Sequence, residues 1–159
     1  MTGITYRDEN EIQTVVERFE QCDFALPEFT HARHLTVACW YLCTLSREEA
    51  MERMRRGLQA FIAHHGKQGY HETITRFWME ILADDLRRCP HDATLPEKVN
   101  AALRRYSNKD VLYSYYSRDR VMSDEARTGW VEPDLRPISN AAVGAPEFRR
   151  ILNVLVKGS

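Results

Sequence analysis

Residues 31–45 read His31-Ala32-Arg33-His34-Leu35-Thr36-Val37-Ala38-Cys39-Trp40-Tyr41-Leu42-Cys43-Thr44-Leu45. At about 100° per residue, Leu35, Ala38, Tyr41, Leu42 and Leu45 fall on one face. Thr30 stands just before the run and is a good N-cap. The pattern predicts a helix from about Thr30 to Thr44. His31 and His34 share its apolar face, whereas Arg33 and Arg47 do not.

The same reading extends in both directions. Upstream, Ile12, Val15, Val16 and Phe19 mark a helix over about Glu9 to Gln21, ended by Ala25-Leu26-Pro27-Glu28. Downstream, Ser46 and Glu49 form a capping-box pattern for a third helix with Leu58, Phe61 and Ile62 on its buried stripe. Gly66 is its natural stop. A fourth helix is expected from roughly Tyr70 to Arg88, with Ile74, Phe77, Trp78, Ile81 and Leu82 inward and Cys89-Pro90 closing it. Thr94 and Pro96 open a fifth, through about Arg105. Asp110 to Tyr116 reads as a shorter helix, and Ser123-Asp124-Glu125 caps another short turn. Glu132 to Ala145, punctuated by Pro133, Pro137 and Gly144, reads as an extended surface segment. Pro146 begins a final helix. No stretch shows strict two-residue alternation. The expectation is an all-α bundle of about six to seven helices, one domain over residues 1–159.

Composition narrows the function. The chain has 159 residues and a formal net charge of −1, with acidic and basic side chains interspersed. That balance argues against a nucleic-acid surface. The Arg53, Arg55 and Arg56 cluster reads as a solvated helix face. No apolar run is long enough to span a bilayer, and the polar stretch Met1 to Asn10 lacks the features of a secretory signal. Cys22, Cys39, Cys43 and Cys89 have neither disulfide-framework nor paired CxxC spacing. A cytoplasmic protein with reduced thiols follows as the expectation. A Gly-rich phosphate loop, a nucleophile elbow and a dinucleotide fingerprint are all missing.

The concentrated chemistry is histidine. His31 and His34 lie one helical turn apart, where two imidazoles can converge on one ion. In Gly69-Tyr70-His71-Glu72-Thr73-Ile74-Thr75, His71 also falls toward the apolar face. Buried imidazoles need partners. Either each bonds a main-chain carbonyl or a carboxylate, or His31, His34 and His71 bind a transition metal. Three neutral imidazoles suit iron, copper, zinc or nickel and leave a coordination position open. His65 is a fourth ligand or a helix-end group. Glu72 is the nearest carboxylate: a catalytic group, a ligand, a partner for His71, or a charge favourable to the helix dipole. Tyr116 and Arg118, in an aromatic–basic stretch, and Arg76 are candidate anchors for an anionic small-molecule substrate.

The segments Phe29-x-His31-x-x-His34-Leu35 and Gly69–Thr75 resemble a group of small uncharacterised bacterial helical proteins. Tyr115-Tyr116-Ser117-Arg118 and Trp130-Val131-Glu132-Pro133-Asp134-Leu135-Arg136-Pro137 are similar to that group too. The resemblance implies one coherent helical domain and names no reaction. Two functions follow from the sequence. One is a metal-dependent enzyme acting on a small molecule, by oxidative chemistry with iron or copper or by hydrolytic or lyase chemistry with zinc. The other is a non-catalytic helical binding or regulatory protein with structural or sensor histidines. Neither nucleic acid nor a membrane is an expected partner, and a homodimer is compatible with the sequence.

Overall fold

The computed structural model describes residues 3–138. Five longer helices dominate: α1 (Glu9–Glu20), α2 (His31–Thr44), α3 (Arg47–His64), α4 (Glu72–Arg87) and α5 (Leu95–Arg105). Two short helices follow, α6 (Arg118–Val121) and α7 (Asp124–Thr128), with 3-10 turns at Leu26–Glu28 and Lys109–Ser114. There is no strand among the described residues, so the fold is all-α. No described helix is long and apolar enough to cross a membrane.

Local chemistry explains the helix starts. The side chains of Asp8, Thr30, Ser46 and Thr94 each accept a hydrogen bond from the backbone N–H three residues on. Such bonds satisfy donors that a helix start leaves orphaned. At α5 the pairing is reciprocal, because Glu97 also accepts from the Thr94 N–H at 2.8 Å. Gly66, at φ +67°, ends α3 in the left-handed conformation expected of a helix stop.

The amphipathic pattern understates the burial of α2. Besides Leu35, Ala38 and Tyr41, the side chains of Thr36, Val37 and Cys39 are also buried. The reason is packing: α1, α3, α4 and α5 all contact α2. A helix surrounded in this way must be apolar on nearly every side, and Arg33 is its one fixed charge. The core around it is a single connected cluster that includes Ile12, Phe19, Leu58, Phe77, Leu82 and Val99. Cys39 is buried, and all four cysteines are free thiols.

Three local expectations change. The fourth helix begins at Glu72, because His71 is its N-cap. The expected helix over Asp110–Tyr116 is the 3-10 turn Lys109–Ser114, initiated when Asn108 Oδ1 accepts from the Asp110 N–H. The α6 turn falls between two expected elements, with Ser117 as its cap. The expected helix from Pro146 lies outside the described residues. The segment after α7 is pinned to α4: Thr73 Oγ1 donates to Gly129 O at 2.6 Å and accepts from the Val131 N–H at 3.2 Å.

Candidate functional site

The histidines do point inward, but each of three is held by a different main-chain oxygen. His31 Nε2–H donates to Tyr106 O at 2.9 Å, tying the start of α2 to the end of α5, and its ring meets Trp78 edge-on. His71 uses both nitrogens: Nδ1 accepts from the Ile74 N–H at 3.1 Å and Nε2–H donates to Val121 O at 2.7 Å. These bonds fix its tautomer, since a carbonyl can only accept and an amide N–H only donate. His65 Nε2–H donates to Phe24 O at 2.9 Å, fastening the end of α3 to the loop after α1. His34 is half-buried beside the Phe29 ring. Burial, assisted by the charge of His31, holds its pKa down at about 4. Burial also lowers the pKa values of His31 and His71. All three are therefore neutral imidazoles at neutral pH. Among the described residues, no three His, Cys, Asp or Glu side chains are grouped to hold a metal ion. In this arrangement His31 and His71 engage their Nε2–H groups on separate carbonyls, those of Tyr106 and Val121.

The expected substrate anchors separate in the same way. Tyr116 is fully buried and its hydroxyl donates to Val131 O at 2.6 Å. It is a core tie, out of reach of a ligand. Arg118 lies over the Tyr113 ring, 4.5 Å from its centroid. Neither lines a cleft with Glu72, whereas Arg76 does.

That cleft is built by α3, the start of α4 with Tyr70 before it, and the end of α7 with the turn that follows. It has a volume of about 570 Å³ and is lined by Arg55, Tyr70, Glu72, Arg76, Arg127 and Trp130, with Gln59, Thr128 and Gly129. Glu72 sits at the first position of α4, where its charge suits the helix dipole. Arg55 grips it with a two-pronged fork, Nε to Oε1 at 2.9 Å and Nη2 to Oε2 at 2.7 Å. The Tyr70 hydroxyl adds a bond to Oε1 at 2.7 Å. The Arg55 fork, more than any other cause, holds the Glu72 pKa below the ordinary carboxylate range. Burial, reinforced by Glu72, raises that of the Tyr70 hydroxyl. Glu72 is thus a fixed anion with both oxygens engaged, and Tyr70 a fixed donor. Such a carboxylate organises a site better than it moves protons.

Arg76 and Arg127 are differently placed. The Arg76 guanidinium lies 4.6 Å from the centroid of the Trp130 ring, and its Nε is 3.7 Å from Glu80. Arg127 pairs with Asp124, whose side chain is almost fully exposed. Glu80 and Asp124 stand outside the cleft lining. The Arg127–Asp124 pair is exposed and the Arg76–Glu80 contact is long at 3.7 Å, so both guanidiniums can turn to another anion at small cost.

Sequence reasoning missed Arg55, Tyr70, Arg127 and Trp130 as site residues. The available signal was spacing: Met51, Arg55 and Gln59 recur every four residues, beside the buried stripe Ala50, Met54 and Leu58. No protein-family model, curated protein or solved structure matches the chain. Its class is therefore set by fold and site together: an all-α protein with a guanidinium-lined cleft.

Proposed function

We propose that this chain is a helical binding protein for a small organic anion, held in the cleft between α3, α4 and the end of α7 with the Gly129–Trp130 turn. One observation carries it: three guanidiniums face a shared space with a single carboxylate, and Arg55 already neutralises that carboxylate. Arg76 and Arg127 then supply the charge for a carboxylate or phosphate, and Trp130 supplies an aromatic wall. The volume suits a small molecule.

Heteronuclear NMR of the full chain, titrated with inorganic phosphate and with citrate, tests this. The Trp130 indole and the side-chain N–H signals of Arg76 and Arg127 should shift together and saturate. The Arg76→Gln/Arg127→Gln double variant should bind about a hundredfold or more weakly, since each of the two charge-assisted bonds lost costs about 1.5–3 kcal/mol. Absent shifts, or an affinity unchanged in the double variant, would overturn the proposal.

A metal-dependent enzyme acting on a small molecule is the second proposal, and His34 favours it. Among the described residues its imidazole meets Phe29, and no hydrogen bond engages its nitrogens. One ring nitrogen is thus available to iron, copper, zinc or nickel. Elemental analysis of the purified protein decides. Near-stoichiometric metal that His34→Leu removes supports this second proposal; metal-free protein that binds anions normally rejects it.

A further inference from the structure

Two ion pairs join α3 to α4, and they set a register. Arg47 pairs with Glu80, and Arg55 with Glu72. The partners ascend on one helix as they descend on the other, so the helices run antiparallel. Eight residues separate the two pairs along each helix, a span of about 12 Å at 1.5 Å per residue. Met51 and Arg76 stand midway.

Between the pairs lies a second depression of about 280 Å³. Its apolar floor is Leu42, Met51 and Met79, and Arg47, Glu48, Arg76 and Glu80 form its edges. Arg76 belongs to both depressions: it lines the cationic cleft on one side and the apolar trough on the other. A cation at the mouth of an apolar trough, closed at the far end by an ion pair, is complementary to a molecule with one charged end. Methionine suits such a floor, because its unbranched thioether adapts to irregular apolar shapes.

We propose that the ligand of this site is an amphiphilic anion, with a carboxylate or phosphate head and an unbranched apolar chain. This rests on the proposal that the cleft binds organic anions. The head lies between Arg76 and Arg127. The chain follows the groove over Met51, Met79 and Leu42 as far as the Arg47–Glu80 pair, four residues along each helix from Arg76 and Met51, which limits its reach to about 6 Å beyond Arg76.

Calorimetric titration of the full chain with acetate, butyrate, hexanoate, octanoate and decanoate tests the proposal, with octyl phosphate distinguishing the two heads. Each added methylene that leaves water should tighten binding by about two- to fourfold. The gain should stop once the chain outruns the groove. Met51→Gln should flatten the series, with octanoate losing about tenfold. Inorganic phosphate and citrate binding, with affinity independent of chain length, overturns this inference and leaves the anion cleft standing. A chain-length gain that Met51→Gln does not change also overturns it, because the chain then lies elsewhere. No binding by any member, inorganic phosphate included, overturns both.

Discussion

Gly57→Val is expected to destabilise the protein by about 3 kcal/mol, the upper part of the range for overpacking a core. Gly57 lies inside α3, where glycine is ordinarily a poor choice. Here it is required, because a Cβ at this position would stand 2.6 Å from Phe19 Cε2 and 2.9 Å from Phe19 Cζ. The ring cannot retreat. Phe19 is only 1% exposed and stacks on Phe29 at 4.8 Å between centroids, with Phe61 at 5.9 Å. The backbone of α3 therefore rests directly on a ring of α1. Valine also gains little helix propensity over glycine to offset the clash. Urea unfolding should show a lower midpoint with an unchanged slope, and thermal unfolding a midpoint lower by about 6–12 °C. Gly57→Ala should fall between wild type and valine. In a Phe19→Leu background the alanine penalty should shrink, since the two sites share one contact. A Gly57→Val protein as stable as wild type would show that α1 and α3 do not approach so closely.

The same contact shows which parts of this molecule sequence reasoning reaches. Periodicity and cap chemistry are local, so Thr30, Ser46, Thr94 and Gly66 marked their helix boundaries correctly. The inward direction of His31 and His71 was legible for the same reason. Their partners were not: Tyr106 O and Val121 O are main-chain carbonyls 75 and 50 residues away. Every residue carries a carbonyl, so such an acceptor leaves no mark in the sequence. The metal expectation arose at that point, since inward imidazoles of unknown partner fit a ligand set as well as a set of backbone ties. The cleft was hidden differently. Arg55 reads as a solvated face until α3 and α4 are known to be antiparallel neighbours, and then Glu72 lies opposite it. Arg76 lines that cleft, while Tyr116 is buried with its hydroxyl on Val131 O, and a tyrosine at a helix end can face either way.

Acid should unfold this protein earlier than its carboxylates alone would dictate. His34 has a pKa of about 4 in the fold, against about 6.5 in an unfolded chain. Between those values the unfolded chain binds a proton that the folded one refuses, so stability rises with pH across the interval. The contribution is complete above pH 6.5 and is lost as pH falls toward 4. His31 and His71 act in the same direction, because burial lowers both. Protonating His71 Nδ1 would in addition forfeit the Ile74 N–H bond that caps α4. Glu72 acts later: its folded pKa is depressed, so its contribution is held above the unfolded carboxylate value and lost only below it. Allowing for the partial exposure of His34, that residue alone should cost about 2 kcal/mol between pH 7 and pH 4.5. Urea midpoints measured at pH 7.5, 6, 5 and 4.5, with a chelator present to remove any metal contribution, should fall steadily. In His34→Leu the fall should be shallower by about that amount, because leucine suits the site beside Phe29 and takes up no proton. A flat profile from pH 7.5 to 5, or an identical slope in His34→Leu, would mean that His34 keeps enough contact with water to titrate normally.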